Sequence, residues 1–393
     1  MRKQLLALFL AAALLCGIAP AAWAADYYFT DRDGTELIAP EYGFATRVVE
    51  FIPGDPWTSH EEQQKVENVL GVPDRTGNNS SSVGDLCLGA GGVLVLEFNV
   101  AIYDGEGLDI YVFEVGNDVE DTKVEVSSDL QTWYDVGTAA GRTAGIDLSG
   151  KVPEGERFRY VRLTDLEAHP YSNWPGADID AVSGLNIKAV TSDWSQNEMD
   201  RAEEYGLIPD VLQYQDLTQP ITRAEFAAVA VKVYESLSGT AAIPAVNNPF
   251  TDCSDVEVLK AYNIGAVNGV SSDRFDPDAL LNREQAATML TRVFKKVSLM
   301  GWTLQTDGQF TLPYTPPAPF ADDALISDWA RESVYFMAAN QIINGVGNNC
   351  FAPSNTTSAQ EASGYANATR EQALAIAVRM TENLGSSKPL PSK

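Results

Sequence analysis

Between residues 46 and 188 the apolar and polar positions alternate in short runs. Val93-Leu94-Val95-Leu96-Glu97-Phe98 and Asp109-Ile110-Tyr111-Val112-Phe113 read as buried strands. Lys123-Val124-Glu125-Val126-Ser127 and Arg159-Tyr160-Val161-Arg162-Leu163 alternate as half-buried strands do. Turn signals separate the runs at Asp104-Gly105, Ser128-Asp129 and Pro153-Glu154-Gly155. Strands of this length and spacing predict an all-β sandwich over 46–188, with residues 25–45 as a polar leader or linker.

After residue 190 the period changes. Alanine becomes frequent and apolar residues recur at helical spacing, so an all-α region follows the all-β one and the chain is multidomain. Three stretches superimpose as repeats, over 190–240, 248–298 and 320–385, with a linker over 299–319 and a polar tail over 386–393. Each repeat carries one motif: Ile221-Thr222-Arg223-Ala224-Glu225, Leu281-Asn282-Arg283-Glu284-Gln285 and Ala368-Thr369-Arg370-Glu371-Gln372. The third repeat has a Ser/Ala/Gly-rich insertion near 356–367. Val267-Asn268-Gly269 and Ile343-Asn344-Gly345 add an apolar-Asn-Gly turn to the second and third repeats, where the first has Ile208-Pro209-Asp210.

Thr222 with Glu225 has the spacing of a capping box, and Asn282 with Gln285 and Thr369 with Gln372 repeat it. Capping therefore accounts for Thr222 and Glu225. It does not account for Arg223, Arg283 and Arg370. Each stands at the first helical position, where a cation opposes the helix dipole at a cost of a few tenths to about 1 kcal/mol. Two readings fit: an arginine paired with an acid nearby, or an anion site built from guanidinium and helix N-terminus.

On these residues the region resembles the S-layer homology family, whose hallmark is Thr-Arg-Ala-Glu near a helix start. Asp193-Trp194 and Asp328-Trp329 resemble the family's aromatic at the start of the preceding helix, and Phe250-Thr251-Asp252 and Phe320-Ala321-Asp322 its Phe-x-Asp opening. The resemblance implies a pseudo-threefold helical bundle. Its grooves would bind secondary cell-wall polysaccharide, often carrying a pyruvate ketal, through Arg223, Arg283 and Arg370, with Thr222 and Glu225 of the full motif also in the binding set and Trp194 and Trp329 stacking on sugar. It implies an extracellular place on a bacterial cell wall. The second repeat departs, with Ser254-Asp255-Val256 in place of the Trp, so unequal grooves are expected. Arg223, in the repeat that keeps both the full motif and a Trp, is expected to matter most. A triplet that keeps the fold and has lost the polymer is the alternative.

The amino-terminal half resembles a galactose-binding-like jelly-roll of bacterial surface proteins. Leu70-Gly71-Val72-Pro73-Asp74, Gly89-Ala90-Gly91-Gly92, Val124 to Asp129 with Trp133, and Asp178-Ile179-Asp180-Ala181-Val182 carry that resemblance. Asp165, Asp178 and Asp180 are candidate calcium ligands, or else a solvated acidic loop. Trp133, Tyr171 and Trp174 are candidates for stacking, Trp133 also for the core.

Composition narrows the partners. At 45% hydrophobic residues the chain can bury a core. A net charge of −27 repels nucleic acid and anionic lipid, and no basic run reverses this locally. Among 1–24, Arg2 and Lys3 precede the apolar run Leu5 to Leu15, too short to span a membrane, and Ala22-Trp23-Ala24 ends in a small-x-small site: a signal peptide. No later stretch is apolar for about 20 residues, so no transmembrane segment is expected in the mature chain. Cys87, Cys253 and Cys350 form neither a disulfide framework nor a zinc spacing. His60 and His169 sit in no catalytic signature, and no enzymatic role is expected. The expectation is an exported, wall-attached surface protein; an adhesive or carbohydrate-binding module for an external ligand is the alternative. Amino-terminal sequencing of the exported protein is expected to read from Ala25; a lipid-blocked start at Cys16 would overturn both the cleavage site and non-covalent attachment.

Overall fold

A computed structural model describes residues 26–30, 36–74, 84–115, 120–140, 143–166 and 175–385. The expected signal peptide and the tail 386–393 lie outside them. The chain divides into two units, Met1–Lys188 and Ala189–Lys393.

The first unit is built of β1 (Tyr27–Thr30), β2 (Glu36–Ala39), β3 (Arg47–Ile52), β4 (Leu86–Cys87), β5 (Val93–Tyr103), β6 (Ile110–Glu114), β7 (Thr122–Ser127), β8 (Tyr134–Ala139), β9 (Thr143–Ile146), β10 (Arg157–Asp165) and β11 (Asp178–Gly184), with β12 (Ile187–Ala189) at its end. One sheet runs β12-β5-β10-β7-β8, with β3 also on β5; a second runs β4-β11-β6-β9. The strands expected from alternation are β5, β6, β7 and β10. Their inward residues, among them Leu94, Leu96, Phe98, Val124, Val126, Phe158, Val161 and Leu163, are buried. Burial of that apolar area is the main stabilising term.

Residues 25–45 are more than a leader. The β1–β2 hairpin places Tyr27 and Phe29 against Phe44, Tyr111 and Phe113, with Phe29 and Phe113 rings 4.9 Å apart. Apolar residues at Leu37, Ala39 and Phe44 supply the burial that a solvated leader lacks.

The second unit contains α1 (Gln196–Glu204), α2 (Arg223–Ser238), α3 (Val256–Asn263), α4 (Arg283–Ser298), α5 (Asp328–Ala339), α6 (Ser358–Ser363) and α7 (Arg370–Leu384). The long helices α2, α4 and α7 each begin with the expected capping box. The insertion forms α6, capped by Thr357 and closed by the left-handed Gly364. Short helices pack on the long helix of another repeat: α3 on α2, α5 on α4, and α1 on α7. The packing units are therefore shifted against the sequence repeats, and the first short helix closes on the last long one.

Residues 299–319 are likewise not a free linker. Trp302 and Leu312 are buried, because two apolar side chains dock and a polar clasp holds them. Asp307 accepts from Trp302 Nε1 at 2.7 Å and from Lys295 Nζ at 2.8 Å, and Lys295 also reaches Glu332 at 2.9 Å. Burial alone would raise the Asp307 carboxyl, but the Lys295 and Trp302 hydrogen bonds outweigh it and hold it below its ordinary value. A depressed carboxyl contributes stability above its unfolded pKa and loses it as pH falls through the folded one. Asp307→Asn is expected to destabilise the chain by roughly 1–3 kcal/mol at neutral pH. The difference from the parent should shrink in thermal melts taken below about pH 4.

Candidate functional site

The starts of α2, α4 and α7 meet, and the residues ahead of their caps form a closed cycle of backbone hydrogen bonds. Ile221 N–H donates to Ala368 at 2.9 Å, Leu281 to Ile221 at 3.0 Å and Ala368 to Leu281 at 3.1 Å. All three residues are buried. The first-turn N–H groups, unsatisfied within any helix, are met by neighbours in the same cyclic order. Arg223 and Ala224 donate to Ala279 and Pro277, Arg283 and Glu284 to Ala366 and Pro353, Arg370 and Glu371 to Gln219 and Leu217. Of the two readings left open for these arginines, the anion cradle finds its helix-start N–H groups already taken by carbonyl partners.

The arginine side chains follow the same cycle. Arg223 Nε donates to the Phe275 carbonyl at 3.0 Å and Nη2 to the Asn268 carbonyl at 3.2 Å. Arg283 repeats this with Phe351 at 2.9 Å and Asn344 at 2.6 Å. Each guanidinium also lies over the ring of the same phenylalanine. The receiving loops are braced by the Phe-x-Asp aspartates: Asp252 accepts from Phe275 and Asp276 N–H, Asp322 from Phe351 and Ala352 N–H. Asp276 and Ala352 have positive φ, 62° and 56°, and those bonds help hold this strained backbone. The Asn-Gly turns need glycine because a Cβ on Gly269 or Gly345 would meet a carbonyl oxygen at 2.4 or 2.6 Å.

Arg370 differs. Nε and Nη2 both donate to Glu225 Oε1, at 3.1 and 2.7 Å, and Nη1 donates to the Asp216 carbonyl at 2.9 Å. Glu225 thus caps α2 and neutralises Arg370, the acid-paired arginine that sequence left open. Arg223 and Arg283 have Gln285 and Gln372 at the positions corresponding to Glu225. Neither makes an ion pair among the described residues, and the Nη1 of each has no hydrogen-bond partner there. Burial lowers the pKa of both, with Asp276 and Asp322 acting the other way. Arg283 is the most withdrawn, at 8% exposure.

The glutamates beside the arginines were not singled out from sequence. Glu371 accepts from Ser192 N–H and Oγ and from Ser195 Oγ; Glu284 accepts from Ser327 N–H and Oγ, all at 2.8–3.0 Å. These latches fix Ser-Asp-Trp in the first and third repeats, and that recurring tripeptide was the signal available. Trp194 and Trp329 remain 51% and 57% exposed beside the latches. Trp194 therefore belongs with Arg370 and Trp329 with Arg283. At the third interface Ala224 replaces the glutamate and Val256 the tryptophan, so Arg223 stands without an aromatic. The expectation that Arg223 combines motif and Trp in one groove is corrected: its repeat's own Trp194 lies at another interface.

In the first unit, Asp165, Asp178 and Asp180 are not gathered as a metal cluster among the described residues. Asp165 accepts backbone N–H bonds from Gly91 at 2.9 Å and Ala177 at 3.0 Å, and Asp180 one from Asp74 at 3.3 Å. These oxygens stitch loops to strands, which is why they do not converge. The trio whose ligand atoms do lie within 4.8 Å is Asp104, Asp109 and Asp147. There the buried Asp109 accepts from Gly105, Leu148 and Asn186. A second acidic group surrounds Glu114, whose carboxyl is pushed up to about 9 by burial, then by Glu120 and Asp178. Trp133 is half-buried under Arg162, 4.2 Å away; Tyr171 and Trp174 lie outside the described residues.

Several known proteins are similar to parts of the chain. An endoglucanase of Bacillus sp. (strain KSM-635) is 26% identical over 32% of this chain and 15% of its own length. An exoglucanase of Acetivibrio thermocellus is 25% identical over 58% of this chain and 21% of its own. The chain thus spans about a fifth or less of these curated relatives. Among solved structures, a family 32 carbohydrate-binding module from a Clostridium perfringens glycoside hydrolase is 13% identical, covering 35% of this chain and 90% of its own, with a TM-score of 0.23. At that score the likeness adds nothing to what the strands themselves show. Residues 319–362, which run from the Phe-x-Asp opening through α5 into α6, match the family model of the S-layer homology domain, and the chain carries that domain.

Proposed function

We propose that the chain is an exported protein held non-covalently on a bacterial cell wall. In this reading Ala189–Lys393 is a three-repeat S-layer homology bundle that binds secondary cell-wall polysaccharide, and the amino-terminal sandwich is the displayed domain. The observation that carries it is the cyclic repetition of arginine, neighbouring loop and helix start across a unit that includes the S-layer homology match. Among the described residues no helix is long and apolar enough to cross a membrane, so attachment by binding fits. Local cationic pockets let a chain of net charge −27 hold an anionic polymer. A carboxylate such as a pyruvate ketal suits a desolvated guanidinium.

The three interfaces are unequally equipped. The Arg370 interface has its cation neutralised by Glu225, and the Arg223 interface lacks an aromatic. The Arg283 interface combines a buried cation with an exposed Trp329, and it is the one the polymer engages most strongly. An adhesive role on an external glycan is the second reading, since the partial relatives, an endoglucanase and an exoglucanase, are named for glycans; binding of sacculi with and without their secondary polymer separates the two.

Arg283→Ala is expected to weaken co-sedimentation of the full chain with wall sacculi roughly tenfold to a hundredfold. Trp329→Ala should weaken it less, and circular dichroism should stay helical. Parental binding by a folded Arg283→Ala chain, or equal binding after the polymer is stripped, overturns the assignment.

Arg370→Ala is expected to behave differently, lowering stability by roughly 3 kcal/mol because Glu225 is left partly buried and unpaired. Glu225→Gln keeps an oxygen for the Thr222 N–H and should cost less. Denaturant melts of the two variants check this order.

A further inference from the structure

Between Pro353 and Ala366 the third repeat makes an excursion that the other two lack. At the start of α4, the Glu284 N–H donates to the Pro353 carbonyl at 3.3 Å and the Arg283 N–H to the Ala366 carbonyl at 3.2 Å. The same two partners are Pro277 and Ala279 at α2, and Leu217 and Gln219 at α7. Each of those pairs has a single residue between its members, whereas α6 and its flanking turns intervene between Pro353 and Ala366. One intervening residue is enough to complete a helix start, so the excursion is not a requirement of ring closure.

Polar contacts of its own hold the excursion in place. Asn355 Nδ2 donates to Asn367 Oδ1 at 3.0 Å, and Asn355 Oδ1 accepts from the Ala366 N–H at 2.9 Å, which pins its exit to its return. Thr356 donates to Gln360 Oε1 from both N–H and Oγ1, and the Gln360 carbonyl accepts the Tyr365 N–H at 3.0 Å. Tyr365 is thereby delivered to a fixed place, next to the residue whose carbonyl holds the Arg283 N–H. Thr218 and Asp278 occupy that position at the Arg370 and Arg223 interfaces. Tyr365 is 42% exposed, an aromatic ring left facing water beside a buried cation.

Two exposed aromatics therefore attach to one helix start. Trp329 is tied to it by the Ser327 latch on Glu284, and Tyr365 by the Ala366 hydrogen bond from Arg283, the residue before. Asp322 and Tyr365 act on the Arg283 guanidinium, both towards its charged form. We infer that Tyr365 is a second ligand-contacting aromatic of the Arg283 interface and sets its preference for an acidic saccharide; this rests on the wall-polymer reading above. An aromatic ring offers the C–H face of a sugar an apolar surface that carries no net charge. The exposed Asp278 at the Arg223 interface instead repels a carboxylate. The insertion thus gives one interface a wall that the other two do not have.

The full chain serves for the test, with wall sacculi that retain their secondary polymer as the probe. Tyr365→Ala should weaken co-sedimentation roughly threefold to tenfold at an unchanged melting temperature, and Tyr365→Phe should stay within about twofold of the parent. Tyr365→Asp should bind more weakly than Tyr365→Ala, and the gap between the two should close as salt is raised, because it is a repulsion between charges. Parental binding by Tyr365→Ala, while Arg283→Ala is weakened, overturns the role of Tyr365 and leaves the wall reading standing. A loss that Tyr365→Phe does not restore, or that tracks a lowered melting temperature, makes Tyr365 a brace of its own loop and overturns the role as well. Tyr365→Asp binding as well as Tyr365→Ala overturns the preference for an acidic sugar. A parent that sediments equally with stripped sacculi overturns the wall reading and this inference together.

Discussion

Three helix starts converge in the second unit, and each must find partners for N–H groups that its own helix cannot satisfy. Side chains answer half of the need: Thr222, Asn282 and Thr369 accept from the third helical residue, while Glu225, Gln285 and Gln372 reach back to the cap. Carbonyls of a neighbouring repeat answer the other half, and the caps' predecessors join in one cycle. No helix start is complete without the next repeat. Ring closure between the first and last repeats is therefore a condition of the fold, and the α1–α7 contact and the Glu371–Ser192 latch follow from it.

Similar interfaces with different chemistry result. A glutamate at Glu225 makes one arginine a structural ion pair, whereas Gln285 and Gln372 leave the other two without that acid. Their guanidinium groups are held by carbonyls, which accept hydrogen bonds without cancelling charge. Changes cluster by interface: Ala224 and Val256, on different repeats, face the same one. An arginine that looks the same in three motifs is thus ion-paired in one and held by carbonyls alone in the other two.

The sandwich solves a different problem. Its loops enter and leave at acidic residues, and most of these carboxylates gain backbone N–H partners that fix the loop, as Asp109 and Asp165 do. At Glu114 burial prevails, and with Glu120 and Asp178 nearby it pushes the carboxyl up to about 9.

Much of this was legible in sequence because its causes are local. Period-two alternation placed β5, β6, β7 and β10, capping spacing placed α2, α4 and α7, and tandem motifs pointed to the S-layer homology domain. Apolar residues in supposed linkers, such as Trp302 and Phe44, were visible as residues but not as contacts, since burial depends on what packs above them. The partner of each arginine and the interface to which each tryptophan belongs lie between residues far apart in the chain. Sequence by itself determined the elements and their caps, which obey spacing of a few residues. Tertiary structure alone decided which charges are neutralised, because a carboxylate 145 positions away can reach a guanidinium only once the ring has closed.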